Sequence, residues 1–258
     1  MDPEFSKRYR ELYDKHWWFR AREKLIVEVL RCKQPAGGWK TILDVGCGDA
    51  LFFRQLQQFG EVEGVEPVAA VIDPESEFRQ RIHVGSFDQN FQPKKRYSLI
   101  LMLDVLEHLD DPLAALRRAY VLLQPGGLLL ITVPAFPMLW TSHDDLNHHR
   151  VRYTRSSLTS EAKSSGFKIV EARYFFFFLF LAKLAARIKE GLLGSTPAIP
   201  KIPSPALNRF LYRISRMEET LFGALPIPFG GSLLMMCQAN SAFIASDQEE
   251  IAQAPALV

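Results

Sequence analysis

This chain of 258 residues has few of the features that would indicate an extracellular, membrane-spanning or metal-binding protein. Its three cysteines, Cys32, Cys47 and Cys237, are odd in number and lack metal-ligand spacing, so we expect reduced thiols in a cytoplasmic protein. A formal net charge of +2 gives no reason to expect a nucleic-acid partner. The apolar run at residues 174–182 is much shorter than the about 20 residues that a transmembrane helix needs. No signal-peptide pattern is visible, and residues 1–5 are treated as a cloning remnant.

A glycine-rich turn is the most informative feature that the sequence does contain. Residues 41–45 form a short apolar run typical of a buried strand, and apolar side chains recur with a nearly helical period over residues 51–59. We therefore predict that Gly46, Cys47 and Gly48 turn the chain from a strand into a helix. Glycine permits a positive φ there and lets a ligand lie against the backbone. Such a unit can bind a dinucleotide or another adenosine cofactor.

The residues around this turn favour the second kind of ligand. A dinucleotide site has a third glycine three residues after the second, where this chain has Leu51. Asp44 and Asp49 would repel a phosphate but suit a ligand that carries an ammonium and a sulfonium group. The arrangement resembles the first motif of the class I S-adenosylmethionine-dependent methyltransferases. Leu51 also argues against a nicotinamide enzyme, which would be expected to bind NADH.

Glu66 is the predicted ribose-binding residue. It follows the second predicted strand, residues 61–65, and lies 18 residues after Gly48, close to the spacing expected for an acid at a strand tip. A carboxylate can accept hydrogen bonds from both ribose hydroxyls. We include the neighbouring Pro67 in the predicted cofactor site.

Residues 97–134 resemble the second half of the methyltransferase core. They comprise an apolar fourth strand at residues 97–103, an Asp-Val-Leu-Glu-His segment, a helix with an aspartate N-cap, and a fifth strand after Gln-Pro-Gly-Gly. Open α/β sheets bind ligands outside the carboxyl ends of their strands. Leu103 and Asp104 should therefore face the cofactor, and we include His108 with them.

Asp104, Glu107 and His108 also permit a metal site. A similar array holds a divalent metal in the ubiquinone-pathway O-methyltransferases, and oxygen and imidazole ligands suit a hard or borderline cation. Relatives without a metal carry the same string, however. We therefore predict no metal, with Asp104 on the cofactor and the other two residues capping the following turn.

The segment His-Trp-Trp-Phe-Arg-Ala-Arg at residues 16–22 resembles the leader of a bacterial subgroup of the family, similar to the type 11 methyltransferases. The resemblance implies that a helical lid at residues 6–36 covers the cofactor. Trp18 would line the site, and Arg22, or else Arg20, would hold the methionine carboxylate with its forked guanidinium. The alternative is that the aromatic cluster simply packs against the main domain.

The adenine end departs from the family pattern. Related methyltransferases commonly have an acid after the glycine that follows the third strand, and this chain has Ser86 there. Adenine recognition is then left to Ser86, to the backbone of Phe87, or to Asp88.

The loop at residues 134–153 holds the predicted catalytic groups, with three of the six histidines within seven residues of one another. Methyl transfer to oxygen needs a base, and histidine titrates near neutral pH. His143 is the first candidate base, with Asp144 as its orienting partner and His148 or His149 as substitutes; a purely structural loop is the alternative. The arginines of the loop would bind an acidic acceptor or pair with surface acids. The predicted acceptor-binding residues are Trp140, Arg150, Arg152 and Tyr153.

The resemblance covers about residues 12–180 and implies an α/β fold, with a doubly wound, Rossmann-like, mostly parallel sheet of seven strands in the order 3-2-1-4-5-7-6. The methyltransferase core would span residues 37–240, including a helical insertion at about residues 178–229 between strands six and seven. The insertion would cover the acceptor, or make a peripheral lipid contact or a dimer contact, so both a monomer and a homodimer stay open. Residues 241–258 are expected to form a disordered tail.

From these features we predict an S-adenosylmethionine-dependent methyltransferase that releases S-adenosylhomocysteine. The acceptor would be a small hydrophobic or amphiphilic molecule, methylated on oxygen rather than on nitrogen or carbon. The alternative is a non-catalytic partner protein that binds S-adenosylmethionine without using it.

Overall fold

A seven-stranded sheet organises the chain, which a computed structural model describes over residues 3–193, 201–223 and 225–239. The strands are β1 (Thr41–Val45), β2 (Glu61–Glu66), β3 (Ile82–Val84), β4 (Tyr97–Leu103), β5 (Leu123–Pro134), β6 (Phe167–Phe175) and β7 (Ser232–Ala239). Their order is β3-β2-β1-β4-β5-β7-β6. The first five strands pair in parallel, whereas β7 runs antiparallel to both β5 and β6. The predicted α/β fold and strand order are confirmed.

Eight α-helices accompany the sheet in the described part of the chain. They are α1 (Pro3–Lys15), α2 (Trp17–Lys33), α3 (Phe53–Leu56), α4 (Pro112–Leu122), α5 (Ser142–Leu146), α6 (Arg155–Ser164), α7 (Phe177–Leu193) and α8 (Pro205–Phe222). The predicted caps are present, since the side chain of Asp111 accepts from the backbone of α4 and that of Thr154 from the backbone of α6. None of the described helices is long and apolar enough to cross a membrane.

The core lies on both faces of the sheet, because the central strands are buried along nearly their whole length. One cluster joins the sheet to α4 and α6, and a second joins it to α2 and α3. Polar side chains that include Asp44, Glu66 and Asp104 lie at the carboxyl ends of the parallel strands. This edge is where an open α/β sheet binds its ligand.

The helix predicted over residues 51–59 is the clearest difference from expectation, because α3 has only four residues. Ala50, directly before this stretch, has a φ of 55° and cannot belong to a helical turn, and the residues on either side of α3 form turns. A Cβ on Gly60 would lie 1.9 Å from the carbonyl oxygen of Trp39, so the chain passes too close there for another residue type.

Helices α1, α2 and α8 pack together beside the sheet, at the place predicted for a lid and an insertion. The side chain of Asn208 on α8 accepts from the backbone N–H of Trp17 at 2.9 Å and donates to the carbonyl of Lys15 at 2.7 Å. It thus fixes the junction between α1 and α2. The domain division stays a prediction, and the tail at residues 241–258 lies outside the described residues.

Candidate active site

The glycine turn after β1 leaves open space beside its backbone. Gly46 and Gly48 have φ values of 69° and 54°, which favour glycine. A Cβ on Gly46 would approach the side chain of Val105 to 2.8 Å, whereas a Cβ on Gly48 would meet no atom within 4 Å. The Cys47 thiol points instead toward Gly64, and burial raises the pKa of Cys47. The open face of Gly48 is therefore where a ligand can lie against the turn.

Glu66 is buried at the carboxyl end of β2 and is bonded to this turn. One carboxylate oxygen accepts from the N–H of Gly48 and the other from the N–H of Val68, both at 3.0 Å. These bonds fix the direction of the carboxylate. Each oxygen keeps a free lone pair, so the group can still bind two hydroxyls of a diol. Pro67, which follows Glu66, is exposed.

Charged groups of alternating sign meet where β1, β4 and β5 end. Burial raises the pKa of Asp44 on β1 to about 7; the guanidinium of Arg22 opposes this rise and the carboxylate of Glu66 adds to it. Arg22 lies 2.7 Å from the carboxylate of Asp104 and donates to the hydroxyl of Thr132 at 3.1 Å. Asp104 itself has a φ of 57°, an uncommon conformation for aspartate, directly after β4.

The Nε of Arg22 is a hydrogen-bond donor that the described part of the protein leaves unused. It is buried and has no hydrogen-bond partner among the described residues, so it can serve a carboxylate from a ligand. The guanidinium stacks 5.4 Å from the ring centre of Trp18, which holds its plane in place. Arg20, the alternative in the sequence, lies instead over the ring of Tyr212 on α8. Leu103 is half-buried and packs against the same apolar cluster as Trp18.

Helix α1 adds two residues that sequence reasoning missed. Arg10 forms ion pairs with Asp49, next to the glycine turn, and with Asp73, which lies 2.9 Å away. Burial raises the pKa of Tyr9, and nearby carboxylates, with Asp104 foremost, raise it further. The charge of Arg22 opposes this rise, and 41% of the residue is accessible. In the sequence, both residues look like ordinary polar positions of an amphipathic helix.

The predicted adenine end has little side-chain structure. Ser86 is exposed and follows Gly85, whose N–H donates to the carbonyl of Glu66 at 3.0 Å. Phe87 is half-buried, with its ring centre 5.9 Å from that of Phe91. The position beside Glu66 agrees with an adenine contact, which stays a prediction.

A buried Asp144 organises the histidine loop. It accepts from the Nε and Nη2 of Arg152 at 2.8 and 2.9 Å and from the Nδ1 of His149 at 2.8 Å. Although burial opposes ionisation, the hydrogen bonds from His149 and Arg152 hold the pKa of Asp144 well below its usual range. Asp144 therefore orients His149, rather than His143 as the sequence analysis expected. Because Nδ1 of His149 donates to this carboxylate, the neutral form of the imidazole has its acceptor lone pair on Nε2.

His143 is placed differently. The side-chain amide of Asn147 donates to its backbone carbonyl at 2.6 Å and contacts its Nε2 at 3.1 Å. A carbonyl oxygen only accepts, so the nitrogen of the amide faces His143 and its Nε2 lone pair is already engaged. Burial lowers the pKa of His143 to about 4, and the charge of Lys183 adds to this effect. His148 is exposed, with a φ of 55°.

Lys183 on α7 is a further residue that the sequence analysis did not select. Burial and the nearby Arg152 lower the pKa of Lys183 to about 8, against the opposing effect of Asp144. No hydrogen bond or ion pair to its ammonium occurs within the described residues. Helix α7 is tied to the loop two turns further on, where Glu190 accepts from the N–H and the hydroxyl of Ser142.

Glu107, His108 and His149 have potential metal-ligand atoms within 4.8 Å of one another. His149 thus replaces Asp104 of the trio considered from the sequence. Both oxygens of Glu107 are buried without a hydrogen-bond partner in the part of the chain described, and burial beside Asp104 raises its pKa.

The predicted acceptor-binding residues mostly contact the protein itself. Trp140 donates from its indole nitrogen to Asp145 at 2.9 Å, and the exposed Arg150 pairs with Asp110 at 2.8 Å. The side chain of Arg152 is fully buried on Asp144, and Tyr153 is 1% exposed within the core beside α6. Aromatic rings from the loop, β6 and α7 instead pack together and form an aromatic wall. The ring of Phe136 lies 4.7 Å from that of Tyr174 and 5.4 Å from that of Phe180.

Comparison with known proteins identifies the family of this chain. A sequence family described as a methyltransferase domain matches residues 16–172. The ubiquinone biosynthesis O-methyltransferase of Bradyrhizobium sp. (strain ORS 278) is 32% identical over 98 residues, covering 35% of this chain and 38% of that protein. The protein of the same name from Coxiella burnetii (strain RSA 331) is 26% identical over 152 residues, covering 51% and 65%. The chain thus matches between about two fifths and two thirds of the length of these relatives.

Solved structures share the fold at low identity. A SAM-dependent methyltransferase from Archaeoglobus fulgidus has a TM-score of 0.54 and 17% identity, covering 84% of this chain and 94% of that one. The N-methyltransferase NodS from Bradyrhizobium japonicum WM9, solved with S-adenosyl-L-homocysteine, has a TM-score of 0.53 and 13% identity, covering 89% and 90%.

Proposed function

Because the chain belongs to the class I S-adenosylmethionine-dependent methyltransferases, we propose that it transfers a methyl group from S-adenosylmethionine to an oxygen of a small acceptor. The observation that carries the proposal is the Asp144–His149 pair at the same sheet edge as Glu66 and the glycine turn. The relatives are named as O-methyltransferases, which favours oxygen over nitrogen or carbon. The described cysteines are free thiols, which supports the predicted cytoplasmic location.

The ribose hydroxyls, the carboxylate and the ammonium group of S-adenosylmethionine each have a suitable partner among the residues of the site. Glu66 has lone pairs left for the two ribose hydroxyls, and the open face of Gly48 gives room beside the backbone. The free Nε of Arg22 suits the methionine carboxylate, and Asp44 suits the ammonium group. When bound, the cofactor supplies an electrophilic methyl group on a sulfonium. Asp44 and Asp104 supply the negative field in which such a cation is stable.

His149 is the proposed base. Asp144 accepts from Nδ1, which keeps the tautomer in which Nε2 can take the proton of an acceptor hydroxyl, and it stabilises the imidazolium that forms. Arg152 keeps Asp144 ionised and fixed, so we assign it a positioning role instead of a direct contact with the acceptor. His143 stays as the second candidate, but its Nε2 is engaged by Asn147.

The acceptor pocket combines an aromatic wall with an unpaired positive charge. Phe136 and Phe180 supply apolar surface after β5 and on α7. Lys183 lies close enough to His143 for its charge to add to the effect of burial, which lowers the pKa of that histidine, and Asp144 in turn partly offsets the lowering of the pKa of Lys183 by burial. Lys183 has no described ion-pair partner. An aromatic acceptor with an acidic hydroxyl satisfies both features, because the ammonium of Lys183 would stabilise the phenolate as it forms. Exclusion of water by α7 would strengthen that interaction.

A methylation screen tests the proposal. The purified protein is incubated with S-adenosylmethionine carrying a labelled methyl group and with fractions of a metabolite extract, and S-adenosylhomocysteine and labelled products are measured by mass spectrometry. We expect label in phenolic compounds, lost in a His149→Ala variant that still binds S-adenosylhomocysteine. Cofactor binding without any product or S-adenosylhomocysteine release would instead identify a non-catalytic binding protein.

A further inference from the structure

A second cavity, of about 400 Å³, lies between α2 and α8, outside the site described above. It lies where the guanidinium of Arg20 on α2 stacks over the ring of Tyr212 on α8. Its lining residues are Arg20, Pro205, Asn208, Arg209, Tyr212 and Arg213.

The charge of this cavity is of one sign. Three of its six lining residues are arginines and none is acidic. Within the described residues, Arg20, Arg209 and Arg213 make no ion pair, whereas Arg22 and Arg216 of the same two helices do. Arg216 on α8 lies 2.7 Å from Glu28, and Arg22 on α2 lies 2.7 Å from Asp104. Three of the four arginines of α2 and α8 without a described ion pair thus line the cavity; the fourth, Arg31, donates to the side chain of Gln58.

The arrangement of the groups suits an oxyanion. The guanidinium of Arg20 lies 5.0 Å from the centre of the Tyr212 ring, and such stacking leaves the N–H groups at its edge free to donate. The polar atoms of Asn208 are already engaged with the backbone of Lys15 and Trp17, so Asn208 adds no competing acceptor. The forked donors of several arginines match phosphate oxygens, and a doubly charged group gains more from them than a carboxylate does.

The size of the cavity indicates a ligand larger than phosphate alone. A phosphate group alone is much smaller than about 400 Å³, so the cavity has room for an attached organic group. The Tyr212 ring offers that group an apolar surface, and Leu207 and Phe210 of the same helix are exposed by 48% and 58%. We propose that the cavity between α2 and α8 binds a phosphate-bearing ligand through Arg20, Arg209 and Arg213. The phosphate could belong to a soluble metabolite or to a lipid headgroup.

Binding of inorganic pyrophosphate to the full-length protein tests this proposal without any cofactor, so its outcome is independent of methyl transfer. Isothermal titration calorimetry at about 0.1 M salt compares the unaltered protein with an Arg209→Ala/Arg213→Ala variant. These arginines are exposed and unpaired among the described residues, so the variant should fold, as circular dichroism will show. An Arg31→Ala/Arg117→Ala variant removes the same charge from exposed positions elsewhere. An Arg209→Lys/Arg213→Lys variant keeps the charge but loses the forked donors.

We expect the alanine pair at the cavity to weaken pyrophosphate binding by roughly tenfold or more, the lysine pair to weaken it less, and the control pair to leave it within about twofold. Sedimentation with vesicles of phosphatidylglycerol and of phosphatidylcholine distinguishes the two sources of phosphate. Binding of anionic vesicles that depends on Arg209 and Arg213, with weak binding of pyrophosphate, would assign a lipid headgroup. Equal losses in the cavity and control variants, or no binding of either probe, would overturn the proposal.

Discussion

The buried carboxyl group of Asp44 should make cofactor affinity depend on pH. Burial raises its pKa to about 7, so in the free protein it is protonated below that pH and ionised above it. A ligand with an ammonium group, which S-adenosylmethionine and S-adenosylhomocysteine both carry, binds the ionised form more tightly. At pH 6 only about one tenth of the protein has Asp44 ionised, so affinity should be about tenfold lower than on the plateau above pH 7. Binding at pH 6 should release close to one proton.

Isothermal titration calorimetry with S-adenosylhomocysteine between pH 5.5 and 7.5 measures this effect. The range stays below the titration of a free α-amino group, whose pKa is about 7.7–8.0. Buffers with different heats of ionisation give the number of protons released. An Asp44→Asn variant should bind weakly with no such slope, which separates Asp44 from other groups that titrate in this range. An affinity of the unaltered protein that stays constant from pH 5.5 to 7.5, or the same slope in the variant, would refute the reasoning.

Other predictions concern single side chains. Glu66→Gln should weaken S-adenosylhomocysteine binding at least tenfold in calorimetry, because an amide has one accepting oxygen in place of two; unchanged affinity would contradict the ribose contact. His149→Ala should lower kcat by about 10²–10⁴-fold and His143→Ala much less, with cofactor affinity retained in both; the reverse order would return the role of base to His143. Lys183→Met should raise KM for an acidic acceptor and spare cofactor binding, whereas equal effects on neutral and acidic acceptors would exclude a charge contact. Gly64→Ala should lower the melting temperature, since its Cβ has no room; an unchanged Tm would show that the neighbouring side chains yield.

The fold was largely predictable from local patterns. Apolar runs marked β4 and β7, Asp111 and Thr154 marked the starts of two helices, and the glycine turn lies where the sequence placed it. These features depend on neighbouring residues, so they can be read from a short window. At residues 51–59 the hydrophobic pattern was misleading, because only Phe53–Leu56 is helical and neither the flanking turns nor the positive φ of Ala50 leaves a trace in that pattern.

The site was less predictable, because its contacts join distant segments. The sequence placed Asp144 beside His143, its neighbour in the chain, but the helical turn of α5 directs the carboxylate toward His149 and Arg152. Lys183 enters the site only because β6 and α7 return the chain to the loop after β5. Nothing in the amphipathic pattern of α1 shows that Arg10 meets Asp49 across the glycine turn.

A structure of the protein crystallised with S-adenosylhomocysteine tests the account most directly. We predict that both ribose hydroxyls donate to the carboxylate of Glu66 at about 2.5–3.0 Å and that the methionine carboxylate contacts Nε of Arg22. Gly48 should be in van der Waals contact with the ligand. A ligand bound elsewhere, or a ribose without contact to Glu66, would contradict the account.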